Sequence, residues 1–247
     1  MRNKAISTVS VSIKGFSKEV NEDSYFVDND EGILVVADGM FGDGKGKAAS
    51  QVSVDVIVTS LKSAGLPFDN EQGISFALIT DAFERANTAV LELKALGSTV
   101  VLACVCGDKV IIAHAGDSRA YLVRDGEIQR LTEDHSLIAA AIKMGEINEE
   151  VARKSPHMNI LTRALGRMNH HPDVITVCWR DGDVFLLTTD GIVDVLDDSE
   201  IRDIVVSHND LEDMCDKFIQ SLIFKKAKDD VTIIGFKNND CLSGRNR

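Results

Sequence analysis

Ile33-Leu34-Val35-Val36-Ala37-Asp38-Gly39 is an unbroken apolar run that ends on an aspartate and a glycine. Val184-Phe185-Leu186-Leu187-Thr188-Thr189-Asp190-Gly191 repeats the pattern. Val110–Ala115 leads through Gly116 to Asp117, and Asp229-Asp230 stand immediately before Val231–Phe236. Short apolar runs bounded by turn residues read as buried β-strands. One aspartate at a strand end is ordinarily a turn residue. Four strands so marked, in a chain with no HxH, HExxH or CxxC pattern, indicate carboxylates converging at one edge of a β-sandwich. Converging carboxylates repel unless cations lie between them. Oxygen-only ligation selects magnesium, manganese or calcium. The glycines after Asp38 and Asp190 read as residues that let the backbone turn sharply and present a carbonyl to an ion.

Outward from these runs, Val9, Val11 and Ile13 alternate with serines as a half-buried strand, and Ser24–Asp28 reads as a strand before Gly32–Ala37. Ala49, Val52, Val56 and Leu61 mark a helix starting near Lys47 and stopped by Gly65 and Pro67. Ile79, Phe83, Ala86, Val90 and Leu93 mark a second, stopped at Gly97. Strands follow at Thr99–Cys106, Val110–Ala115, Ala120–Val123 and Ile128–Leu131, then a helix at Ser136–Met144. Residues 145–172 read as irregular, with a short helix at Asn148–Lys154. Strands at Val174–Trp179 and Val184–Thr189, a long helix through Leu211–Leu222, and the strand Val231–Phe236 complete the order. That order lacks the regular alternation of a parallel sheet. It predicts an α+β fold: two packed antiparallel β-sheets flanked by helices on both outer faces, a four-layer sandwich. Residues 1–236 form one domain in this reading, with a polar tail at 237–247.

The 247 residues are 44% hydrophobic and 27% charged, an ordinary soluble composition. The formal net charge of −12 argues against nucleic acid or an anionic membrane as the main partner. The N-terminus has no apolar leader and no run is long enough to span a bilayer. With five cysteines and no CxxC, the chain reads as cytoplasmic, its cysteines reduced. His114 reads as a core residue, His135 as a helix-start residue and His170-His171 as loop.

The motifs resemble those of the type 2C metal-dependent serine/threonine protein phosphatases. They are Asn21-Glu22-Asp23-Ser24, Val36-Ala37-Asp38-Gly39-Met40, Gly97-Ser98-Thr99 and Gly116-Asp117-Ser118-Arg119-Ala120-Tyr121-Leu122. Leu161-Thr162-Arg163-Ala164-Leu165-Gly166, Thr189-Asp190-Gly191 and Asp229-Asp230-Val231-Thr232 follow in the family's order. The short flap segment near 145–156 is similar to the bacterial-type branch. The resemblance implies hydrolysis of phosphoserine and phosphothreonine in proteins by a metal-bridged water, reversing kinase signalling. It implies two Mn2+ or Mg2+ ions and a third, weaker one. Asp38 resembles the bridging ligand, Asp190 and Asp229 the other carboxylates of one metal, and the Gly39 carbonyl a ligand of the second. Glu22 and Asp23 resemble acidic groups near that second metal, and Asp117 a ligand of the third. Spacing alone does not separate Asp229 from Asp230; the family pattern selects Asp229. Phosphorylated proteins are the implied substrates and a cognate serine/threonine kinase the implied counterpart.

Four departures stand out. Lys18 occupies the place of a phosphate-gripping arginine, where it would act as a point charge rather than a bidentate fork. Phe41 and Asp43 replace a glycine and a histidine of the bacterial pattern, and Asp230 replaces a common asparagine and adds charge near the metals. A catalytically weak or silent phosphatase-like signalling scaffold is the alternative reading.

Overall fold

The computed structural model describes residues 6–40, 44–64, 76–148, 151 and 160–238. Phe41, Asp43, the helix stop at Gly65 and Pro67, most of the 145–156 segment and the tail from 239 lie outside the described residues.

Among the described residues, ten strands form two antiparallel sheets. They are β1 (Ile6–Ile13), β2 (Asp23–Asp28), β3 (Ile33–Asp38), β4 (Val100–Cys106), β5 (Lys109–Ala115), β6 (Arg119–Arg124), β7 (Glu127–Arg130), β8 (Asp173–Cys178), β9 (Val184–Thr188) and β10 (Val231–Asn238). The order is β1-β10-β9-β6-β7 in one sheet and β2-β3-β4-β5-β8 in the other. The helices are α1 (Gly46–Ser63), α2 (Phe76–Glu92), α3 (Leu137–Lys143), α4 (Asp198–Ser207) and α5 (Leu211–Lys225), with a 3-10 turn at Asp190–Ile192.

The unbroken apolar runs have a structural cause, because the central strands are buried on both faces. Strand side chains alternate, so Leu34 and Val36 of β3 and Val101, Ala103 and Val105 of β4 face the opposite sheet. There they meet Leu122, Phe185, Leu187, Ile234 and Phe236. Trp179 packs edge-on against Phe185 and Phe236 as part of this filling. Ile33, Val35, Ala37, Leu102 and Cys104 face outward against Ile57 and Leu61 of α1 and Phe83 and Val90 of α2. On the far side, Tyr121, Leu186 and Ile233 pack on Ile201 and Ile204 of α4 and on Met214 and Phe218 of α5. The result is the four-layer sandwich expected from the sequence.

The sequence reading missed α4. Its signal is a capping box: Asp197 accepts from the Glu200 N–H at 2.9 Å, and Glu200 Oε2 accepts from the Asp197 N–H at 3.1 Å. The apolar face that follows is only Ile201, Ile204 and Val205, too short for a periodicity to stand out.

Candidate metal centre

Asp23 and Asp38 are direct partners across the β2–β3 ladder, which sets two carboxylates side by side. The ladder closes beyond them: the Gly39 N–H donates to the Glu22 carbonyl, and Gly39 bridges Ser98. Asp38 is fixed at both backbone atoms. Its N–H donates to Thr99 Oγ1 at 3.1 Å and its carbonyl accepts from Ser98 Oγ at 2.9 Å. Thr99 Oγ1 also hydrogen-bonds Ser118 Oγ at 2.7 Å, which ties Asp38 to the loop carrying Asp117.

The glycines act by close approach, not by a sharp turn. Neither Gly39 nor Gly191 has a positive φ. A Cβ on Gly39 would lie 2.0 Å from the Gly46 carbonyl oxygen where α1 begins. One on Gly191 would lie 2.0 Å from the Asp230 carbonyl oxygen. Each Asp-Gly pair is thus where one backbone presses on another, so the flanking carboxylate is held by main chain on both sides.

The second sheet supplies the rest. Asp190 opens the 3-10 turn after β9, and Asp229 precedes β10. Asp23 Oδ2 accepts from Thr189 Oγ1 at 2.9 Å, just past the end of β9, and from Thr232 Oγ1 at 2.7 Å in β10, both strands of the sheet opposite its own. Lys47 donates to the Asp23 carbonyl and to Ser24 Oγ, and Lys45 donates to the carbonyls of Leu93 and Lys94. Both lysines tie neighbouring elements together.

The electrostatics show one interacting cluster. Burial first, then Asp190, Asp23, Asp117 and Asp229, push the Asp38 carboxyl well above its usual range. Burial, then Asp117 and Asp229, do the same to Asp190. Burial raises Asp23 to about 6, against the hydrogen bonds from Thr232 and Thr189. Burial and then Asp134 raise Asp117 to about 6. Two members were missed at the sequence level. Asp194, raised by burial and then by Asp229, follows Asp190 by one helical turn. Asp134 neighbours Asp117 while held bidentately by Arg119 at 2.8 and 2.6 Å. The i, i+4 spacing of Asp190 and Asp194 was the available signal.

Lys18 is in the cluster, with Nζ 2.7 Å from Asp229 Oδ1. Burial pulls its pKa down, but the Asp229 contact outweighs this and holds it above the ordinary value. Asp229 and Asp230 separate cleanly. Asp230 Oδ1 accepts from the Gly15 N–H and Oδ2 from the Glu22 N–H, both at 2.8 Å, so both of its oxygens are committed to backbone. Asp230 is thus a backbone clamp as well as the added charge the sequence suggests, since its carboxylate also raises the pKa of Asp23 and of Lys18.

The residues fit divalent cations. The donors are all oxygen, and buried Asp23 Oδ1 and Asp190 Oδ1 have no hydrogen-bond partner. Several anions share one desolvated edge with Lys18 as the neighbouring cation, an arrangement that hard cations would relieve.

Residues 16–229 match the family described as Protein phosphatase 2C. The chain is 32% identical over 242 residues to the serine/threonine phosphatase stp of Listeria welshimeri, covering 94% of this chain and 96% of that one. The crystal structure of serine/threonine phosphatase Stp1 from Staphylococcus aureus superposes with TM-score 0.85 at 27% identity, covering 95% of each chain. The catalytic domain of serine/threonine protein phosphatase PstP, solved in complex with two manganese ions, gives TM-score 0.80 at 27% identity, covering 94% of this chain and 97% of that one.

Proposed function

The chain belongs to the protein phosphatase 2C family and is a metal-dependent serine/threonine protein phosphatase, and from that premise we propose how its carboxylates divide the work. Asp38 would be a ligand shared by two divalent ions, Mn2+ or Mg2+. Asp190 and Asp229 would complete the ligands of one, and the Gly39 carbonyl would serve the other, with Glu22 and Asp23 beside it. Asp117, with Asp194 nearby, would hold a third, weaker ion. When bound, the ions supply Lewis acidity toward the phosphoryl group and toward water.

The chain's own residues do the positioning. Thr99 and Ser98 fix the height of Asp38 at the sheet edge, and Thr189 and Thr232 orient Asp23 through one oxygen while leaving the other for the centre. Lys18 neutralises Asp229, and an ion on Asp229 would compete for that carboxylate and leave Nζ for the substrate phosphate. The substrates are phosphoproteins made by a cognate serine/threonine kinase, and a cytoplasmic setting suits that role.

The observation that carries this reading is the convergence of aspartates from both sheets, with Asp38 and Asp190 both pushed well above their usual range by burial and by their carboxylate neighbours. The silent-scaffold alternative is not favoured, because Asp38, Asp190 and Asp229 are all present together. The test is release of phosphate from phosphothreonine and phosphotyrosine peptides with Mn2+, with Mg2+ and with chelator. Metal-dependent turnover on phosphothreonine, lost in Asp38→Asn, is the expected result. Equal turnover in chelator would refute the metal assignment.

A further inference from the structure

Away from the carboxylate centre, the ring of His170 is buried in the 160–172 loop, 9% exposed. Its Nδ1 lies 3.0 Å from the Arg167 carbonyl and 3.2 Å from the Met168 carbonyl. Carbonyls only accept, so Nδ1 carries the hydrogen, and Nε2 of the neutral ring is left with a bare lone pair. Facing it at 2.8 Å is Glu84 Oε2 of α2, which is also an acceptor. At 2.8 Å, inside van der Waals contact, two acceptors are held together by a cation. Nε2 is a buried atom that makes no aligned hydrogen bond there, which leaves its lone pair open to a metal ion. A third donor is in place: His171 Nδ1 lies 3.5 Å from Glu84 Oε1. One ligand atom from each of the three residues falls within 4.8 Å of the others.

The neighbouring group of His114, His135 and Asp173 is the internal control. There His135 Nδ1 accepts from the Gly116 N–H, so Nε2 carries the hydrogen and meets Asp173 Oδ2 at 3.1 Å. Arg163 takes the other oxygen of Asp173. That group is closed by its own hydrogen bonds; the Glu84 group is not.

We propose that Glu84, His170 and His171 form a mononuclear transition-metal site, separate from the carboxylate centre, that takes a zinc-class ion and pins the 160–172 loop to α2. Two imidazoles and one carboxylate favour Zn2+, Co2+ or Ni2+ over Mg2+. Nδ1–H of His170 on a backbone carbonyl is the usual outer support of such a ligand. The joint lies under the catalytic edge. On α2, Asn87 Oδ1 accepts from the Gly166 N–H at 2.7 Å, and Leu165 pairs with Ser98, which holds Asp38.

The experiment is Co2+ titration of the full chain in saturating Mg2+, read by visible absorption and by bound-metal stoichiometry. Wild type and Asp38→Asn are expected to take one Mg2+-resistant Co2+ with an imidazole ligand field. His171→Ala and Glu84→Gln are expected to lose it, while the folded far-ultraviolet spectrum and Mg2+-dependent turnover of a small aryl phosphate persist. Zn2+ is expected to raise the melting temperature of wild type but not of these two variants. Absence of Mg2+-resistant uptake in wild type, equal uptake in both variants, or loss of the signal in Asp38→Asn would each overturn the proposal.

Discussion

Lys18 and Asp230 show how far single residues can be read before their neighbours are known. At Lys18 the resemblance suggests a cation for the substrate phosphate, and the structure adds the partner it has there, Asp229. Lys18→Ala is expected to raise KM for a phosphothreonine peptide about tenfold, the equivalent of one charge-assisted contact of roughly 1.5–3 kcal/mol. Lys18→Arg is expected to restore or lower KM through a two-point grip. Because Nζ competes with cations for Asp229, the alanine variant is also expected to bind Mn2+ more tightly by calorimetry. Unchanged KM and unchanged metal affinity would remove Lys18 from the site. At Asp230 the sequence could not show that both oxygens are committed to the N–H groups of Gly15 and Glu22. Asp230→Asn keeps one acceptor and sets an amide N–H against a backbone N–H. Chemical denaturation is expected to show a loss of about 1–3 kcal/mol, with metal affinity falling far less than in Asp229→Asn. Strand-end aspartates were legible because they close apolar strand runs; Asp134 closes none, and Asp194 sits inside the short stretch Ile192–Leu196 rather than at the end of a strand.

Among the elements, the central strands were legible because two buried faces leave no polar residue to confuse the pattern. Helix α4 was not, because its identity rests on its first turn rather than on a long apolar face. That dependence makes the cap testable. Asp197→Ala removes one half of the reciprocal box and is expected to cost about 1 kcal/mol. Faster amide exchange is expected at the start of α4 and not in α5, which has its own cap at Asp210. Equal exchange throughout α4 would show that packing of Ile201 and Ile204 alone fixes the helix. The Glu84–His170–His171 group was hidden for a different reason: its carboxylate comes from α2, and no sequence spacing announces a cluster assembled from distant elements.

Taken as one body, the molecule is held against the repulsion of its own site. Asp23 and Asp117, both raised to about 6, bind protons in the folded state that the unfolded chain releases near 3.8. Where the folded state binds more protons, stability falls as pH rises. Without metal, the contribution is therefore complete below about 4 and lost as pH passes through about 6, on the order of 1–3 kcal/mol for each carboxylate. Melts in chelator are expected to fall across that window. Melts with saturating Mn2+ are expected to stay level or rise, since bound ions take the place of the protons. A chelated protein equally stable on both sides of the window would contradict the clustering. The sequence foresaw the convergence but not its route, which runs through hydroxyls of Thr99, Ser118, Thr189 and Thr232.

That route sets a timetable for synthesis. Asp23 leaves the ribosome early, yet its oxygen is held by Thr189 and Thr232, and β1 finds its ladder partner only in β10. A nascent chain halted before Asp229 would carry nine of the ten described strands but neither Asp229 nor Thr232, the second of the two threonines that hold Asp23. It would have no reason to bind the ions or to hydrolyse anything. The phosphatase is therefore expected to stay silent during its own synthesis until its last described strand has taken its place between β1 and β9.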